Sequence, residues 1–201
     1  NLLILILFIL PICIIMLPIS DCKGAKEMDR NFKDRTKWLC VCGVLMAMNV
    51  VLSSSLFSVP VPGGHLYLND IIICTASILL DPVGAFLVGG VGAFLGDLLF
   101  YPAPMFVSLV THGLQAVAIS LIAHRALKNR PALASCAGVA AGAVIMVVGY
   151  SLGRAFIYST PEYALLKLPY QILQAVVGAV CGVLLCWKCG VKKAYDKIIE
   201  G

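Results

Sequence analysis

The feature that most constrains this chain of 201 residues is a succession of apolar blocks separated by short polar or Pro/Gly-bearing segments. The blocks run to roughly 17–25 residues, the length an α-helix needs to cross about 30 Å of hydrocarbon. Hydrocarbon offers no water to backbone N–H and C=O groups, so such blocks must satisfy them internally, as helices do. Composition agrees: 61% of residues are hydrophobic and 12% charged, with mean hydropathy +0.98, whereas soluble domains carry about 25% charged residues. A water-soluble globular domain is excluded, and the expected fold is an all-α membrane protein with a bundle of six transmembrane helices.

Along the chain, residues 1–19 are an uncharged apolar run with Pro11 and Pro18, read either as an extra N-terminal hydrophobic helix or as an artefact. Without a basic n-region it is not an ordinary signal peptide. Residues 20–37 form a basic segment that must lie in water. Six helices then fill a membrane domain over 38–187. Helix 1 is expected over 38–58, with Trp38 as an interfacial anchor, and the segment 59–68, VPVPGGHLYL, reads as a shaped loop. A short helix 2 from Asn69 ends at Asp81-Pro82. A glycine-rich helix 3 reaches Phe100, and helices 4, 5 and 6 occupy 105–123, 131–153 and 163–187. Residues 188–201 are read as a basic tail.

Lys and Arg favour the cytoplasmic side of a membrane when they lie in short loops. If helix 1 leaves the cytoplasm, thirteen of the fifteen basic residues fall inside, and only Arg154 and Lys167 fall on the outer side. That places the basic segment and the C-terminus in the cytoplasm. The net charge of +5 therefore reports topology, and no nucleic-acid partner is expected. The nine cysteines are scattered through apolar stretches, where free Cys behaves as a small hydrophobe. Cys40-x-Cys42 and Cys186-x-x-Cys189 have metal-like spacing but no neighbouring His, so no metal or other cofactor is expected.

Polar groups within the crossings cost free energy unless they face a partner or a cavity. Ser108, His112 and Gln115 on helix 4 recur at i, i+4, i+7, and so do Lys167, Gln171 and Gln174 on helix 6. That spacing puts each set on one helical face. Tyr150 and Arg154 end helix 5, and Tyr163 and Tyr170 flank the helix 6 set. All lie in the outer half of the membrane under the topology above, which points to an outward-facing pocket beneath the 59–68 loop. Plainer roles compete residue by residue: interhelical hydrogen bonding, an Asp97–Arg154 ion pair, Asn69 and Asp70 as a helix cap, and Lys167 snorkelling to the surface. Gly43 and Ala47 make a small-xxx-small pair on helix 1 that suits close helix contact.

Sequence signals for catalysis are sparse: there is no HExxH, GxSxG or Walker A pattern. The chain is not expected to be an enzyme. The alternative is an intramembrane enzyme using His112 with Ser108 or Asp97. A channel would need a polar path through the inner half, which is apolar.

The run from 59 to 119 resembles the substrate-binding (S) components of energy-coupling factor (ECF) transporters, in particular the hydroxymethylpyrimidine or pyridoxine branch. The residues carrying the resemblance are Pro60, Pro62, Gly63, Gly64, Asn69, Asp70, Asp97, Tyr101, Pro102, Ser108, His112, Gly113 and Gln115. It implies a six-helix S component in the bacterial cytoplasmic membrane that captures a vitamin from outside. It also implies assembly with a transmembrane coupling protein and two cytoplasmic ATPase subunits, with Gly43 and Ala47 contacting the coupling protein. The expected substrate-binding residues are Tyr67, Asn69, Ser108, His112, Gln115, Tyr150, Arg154, Lys167, Tyr170, Gln171 and Gln174. The only tryptophans lie at the other end, so tyrosines must do any ring stacking. A small polar heterocycle such as hydroxymethylpyrimidine or pyridoxine is the expected substrate, and an anionic vitamin such as pantothenate the alternative.

Overall fold

The computed structural model describes residues 25–62, 64–127 and 129–200. From residue 36 onward the described residues form one compact unit. The apolar run 1–19 lies outside the described residues, as does the start of the basic segment.

Helix α1 spans Ala25–Leu52. It ends six residues earlier than expected, where Ser53 turns its hydroxyl back onto the Asn49 carbonyl at 3.0 Å. Such local bonding gives the backbone an alternative to continuing the helix. A single 3-10 turn, Ser55–Phe57, leads into a two-stranded antiparallel hairpin of β1 (Val59–Val61) and β2 (Gly64–Leu66). Val59 stands opposite Leu66 and Val61 opposite Gly64. Gly64 adopts φ +127°, a conformation that costs little only without a Cβ.

Helix α2 (Asn69–Leu79) is buried at every residue except Ile71. Its 11 residues rise about 16 Å, less than a full hydrocarbon core, yet it carries the chain from the cavity end at Asn69 to the Asp81 turn beside Trp38. Asp81 then caps α3 (Pro82–Phe100): its carboxylate accepts from the Val83 amide at 3.2 Å, with Pro82 at the first helical position. The Trp38 indole donates to the same carboxylate at 2.7 Å, tying α1 to this turn.

Helix α3 contains a π segment, Leu87–Val91. A Cβ on Gly90 would come within 3.0 Å of the Gly113 Cα, and one on Gly96 within 2.6 Å of Ser53. The glycines thus let α3 run close to both α4 (Met105–Arg125) and α1. Asn49, fully buried, donates to the Val88 carbonyl in the π segment at 2.6 Å.

Helix α5 runs from Pro131 to Tyr158, its last five residues a π segment, Arg154–Tyr158. Residues expected to begin a loop are therefore helical. Helix α6 (Pro161–Trp187) is capped by the Thr160 hydroxyl, which accepts from the Tyr163 amide. It ends through Lys188, and Gly190, at φ +77°, then turns the chain. The supposed tail then holds a further helix, α7 (Val191–Glu200), whose Val191 and Tyr195 pack on the bundle. Burial pushes the Tyr195 phenol above its ordinary pKa.

Among the described residues, α1, α3, α4, α5 and α6 are long and apolar enough to cross a membrane, and α2 makes the sixth helix of the bundle. Ile73, Leu80, Val88, Ile119 and Met146 fill the interior, while Val44, Leu114, Val144, Leu173 and Val180 face outward. An apolar exterior of this extent suits lipid as the surrounding solvent.

Candidate functional site

At the hairpin end, where α3, α4 and α5 alternately end and begin, the bundle encloses a cavity of about 270 Å³. The hairpin, the start of α2 and α3 to α6 all contribute to its wall. The expected residues Tyr67, Asn69, His112, Tyr150, Arg154, Lys167, Gln171 and Gln174 line it. Ser108, Gln115 and Tyr170 do not. Ser108 and Gln115 are buried behind the wall, and Tyr170 lies half-buried elsewhere on α6. A period of 3.6 residues puts side chains on one face but does not decide which of them reaches a cavity and which packs against a neighbouring helix.

Behind the wall, two polar clusters hold the lining in place. In the first, Asp70 is 1% exposed and accepts from the Gln174 amide at 2.6 Å and the Gln115 amide at 3.2 Å. His112 Nδ1 lies 2.6 Å from Gln115 Oε1 and 3.8 Å from the Asp70 carboxylate. In the second, Tyr150 donates to Ser108 at 2.5 Å, and Ser108 in turn donates to Asp97. The His112 and Tyr150 rings meet edge to face, centroids 5.1 Å apart, and join the two clusters.

Three of the plainer sequence readings are corrected. Residue Leu68 occupies the cap position of α2 and no side chain caps it, while Asp70 serves as the centre of the buried cluster. Asp97 bonds Ser108, and Arg154 donates to Gln171 Oε1 at 2.9 Å, so the expected Asp97–Arg154 ion pair is absent among the described residues. Lys167 does not snorkel: it is 5% exposed, and its Nζ donates to the His65 carbonyl at 2.5 Å, pinning β2 to α6. The Tyr67 amide, just after β2, adds a second tie by donating to Gln174 Oε1 at 3.1 Å.

Gln171 is a strut between helices. Its carbonyl accepts from Arg154, and its amide donates to the carbonyls of Val147, at 2.9 Å, and Met146. Arg154 also lies over the Tyr158 ring, 5.8 Å from its centroid. Rings dominate the rest of the wall: His65, Tyr67, Tyr101, Tyr150, Tyr158 and Tyr163. Burial, followed by the nearby Asp97 and Tyr101, raises the Tyr67 pKa, so its phenol remains a neutral donor. His65, Tyr158 and Ser53 were not singled out from sequence. Tyr158 continues the Tyr150, Arg154 spacing by four, a signal hidden because helix 5 was expected to stop at 153.

Among the described residues Ser108 bonds Asp97 and Tyr150 and not His112, so the Ser108–His112 pair of the enzyme alternative is not assembled. The bundle, its short buried second helix and a hairpin-covered polar cavity at one end define a membrane-embedded solute-binding component. The profile of the family "ECF-type riboflavin transporter, S component" matches residues 33–191, and the chain belongs to this S-component family. It is a multi-pass membrane transport component and not an enzyme. Two relatives are similar over most of the chain. The "uncharacterized protein in gap 3′ region" of Pyrococcus woesei is 30% identical over 153 residues, 75% of this chain and 99% of that protein. The thiamine precursor transporter HmpT of Lactococcus lactis subsp. cremoris (strain MG1363) is 31% identical over 153 residues, 74% of this chain and 85% of that protein.

Proposed function

We propose that the cavity captures a single-ring, polar heterocycle of the vitamin-precursor class, such as hydroxymethylpyrimidine or pyridoxine, for ATP-driven import. The observation that carries this reading is the small volume of the cavity, about 270 Å³, together with its wall of tyrosines and convergent polar groups. Pockets for drug-sized ligands run from about 300 to 1,000 Å³, so a single ring suits this space better than a fused tricycle such as riboflavin, the substrate in the family's name. The relative HmpT, named for a thiamine precursor, supports the same choice.

The hairpin, tied to α6 by Lys167 and Gln174, closes over the bound ring. The cavity faces outward and the C-terminus lies in the cytoplasm, in keeping with the distribution of Lys and Arg. The S component works with the ECF transmembrane coupling protein and two ATPase subunits in the cytoplasmic membrane. Gly43 and Ala47, both exposed on α1, form the docking face. A Cβ on Gly43 would meet nothing within 4 Å, which leaves that face open to a partner helix.

A second reading, an anionic vitamin such as pantothenate, draws on Arg154 and Lys167. Both line the cavity, and neither has a carboxylate partner among the described residues. The deciding experiment is to purify the chain in detergent, release small molecules by denaturation and identify them by mass spectrometry. Wild type is compared with His112→Ala, and purified hydroxymethylpyrimidine, pyridoxine and pantothenate are tested by thermal shift. A stoichiometric heterocycle lost in the variant supports the first reading. Stabilisation by pantothenate alone would replace it with the second, and no response to any of the three would remove both.

A further inference from the structure

The hydrogen bonds behind the cavity converge on the Asp70 carboxylate from two sides, and on one side their direction can be read from an unambiguous donor. A backbone N–H can only donate, so the Tyr67 amide sets Gln174 Oε1 as its acceptor at 3.1 Å. The other end of that side chain, Gln174 Nε2, must then donate, and it faces the Asp70 carboxylate at 2.6 Å. The second oxygen of Asp70 accepts from Gln115 Nε2 at 3.2 Å. Turning the Gln115 amide over would set its oxygen against a carboxylate oxygen, so Gln115 Oε1 is held toward His112 Nδ1, 2.6 Å away. A carbonyl oxygen only accepts. The proton of His112 therefore sits on Nδ1.

From this geometry we infer that a relay from the Asp70 carboxylate through Gln115 holds the His112 proton on Nδ1, so that Nε2 offers a lone pair to the cavity and selects ligands presenting an N–H or O–H there. Which ring nitrogen of a histidine holds the proton is set by the bond its other nitrogen makes. His112 is 2% exposed, yet it lines the cavity, and no group among the described residues bonds its Nε2. Gln115 and Asp70, which do not line the cavity, thus act as positioning residues for ligand choice. The other oxygen of Asp70 accepts from Gln174, whose carbonyl holds the residue that follows the hairpin, so the same carboxylate also anchors the end of the lid. The ligand half of this inference rests on the proposed function; the tautomer half does not.

The test is nitrogen NMR of the full chain labelled with ¹⁵N-histidine in detergent. The His112 signals are identified by their loss in His112→Gln, leaving those of His65 and His124. The expected apo spectrum shows the proton on Nδ1 and a bare Nε2, the tautomer that free histidine disfavours. Saturating hydroxymethylpyrimidine, whose hydroxyl is such a donor, should then shift Nε2 and leave Nδ1 protonated. In Gln115→Met, close to isosteric, the tautomer preference should fall about tenfold, the worth of one good buried hydrogen bond. A proton on Nε2 in wild type, or an unchanged tautomer ratio in Gln115→Met, overturns the relay. If that variant fails to fold, Asp70→Asn, whose amide can face Gln115 either way round and so should weaken the tautomer preference, and the wild-type spectrum still decide. A correct apo tautomer with no response to the pyrimidine upholds the relay and counts against the proposed substrate alone.

Discussion

Residue Asp70 shows how a charge can sit in an apolar bundle. It is 1% exposed and is held by two glutamine amides from different helices, with His112 3.8 Å away. A buried carboxylate compensated in this way is costly to disturb, because removing it strands its donors. Asp70→Ala is expected to lower the stability of the purified protein by about 3 kcal/mol and to abolish ligand binding, both read by thermal unfolding with and without ligand. Lys167→Met should act differently. It removes the tie to the His65 carbonyl and keeps most of the packing volume, so the hairpin should open more often. Ligand dissociation should accelerate about tenfold, the worth of one charged hydrogen bond, while the folded protein remains. Stopped-flow release kinetics would measure this, and an unchanged rate would show that the lysine bond does not hold the lid.

Between elements, close approach depends on where side chains are missing. Helix α6 receives α2 at Gly178 and Gly182: a Cβ on Gly178 would lie 2.5 Å from the Asp70 Cβ, and one on Gly182 2.7 Å from the Cys74 Cβ. Gly178→Ala must push α2 and its Asp70 aside, an overpacking cost of about 1–3 kcal/mol. The expected result is a lower melting temperature and weaker binding; no change in either would mean that α2 can shift freely. The glycines of α3 signalled a central helix in the sequence, and they do meet α1 and α4. The Gly178/Gly182 pair has the same small-xxx-small spacing as Gly43/Ala47, and spacing alone does not separate an internal contact from an open face. The π segment Arg154–Tyr158 was likewise illegible: nothing in its composition distinguishes a wide helical turn from a loop, and the bond from Arg154 to Gln171 that anchors it joins residues on different helices.

For the whole molecule, the exposed Gly43 and Ala47 make a prediction that separates folding from transport. Replacing both with Leu should change stability by no more than about 0.5 kcal/mol, as for other surface positions, and leave ligand affinity intact. Uptake by cells carrying the coupling module should be lost. Unchanged uptake would remove α1 from the docking role, and a destabilised protein would show that this face packs within the bundle. Much of this molecule was determined by the sequence alone. Apolar blocks of fixed length, broken at Asp81-Pro82 and Tyr101-Pro102, demand helices, because hydrocarbon leaves the backbone no other way to satisfy its hydrogen bonds. The bias of Lys and Arg and the polar stripes on α4 and α6 mark one end of the bundle for a site. Only the tertiary structure decided what each polar residue does there. Gln115 and Gln171 look equivalent as letters in two matching stripes, yet one orients a histidine and the other braces two helices. The difference arises because a hydrogen bond is settled by which partner lies within about 3 Å, and those partners are brought together from as far away as residues 67 and 174 only when the helices pack.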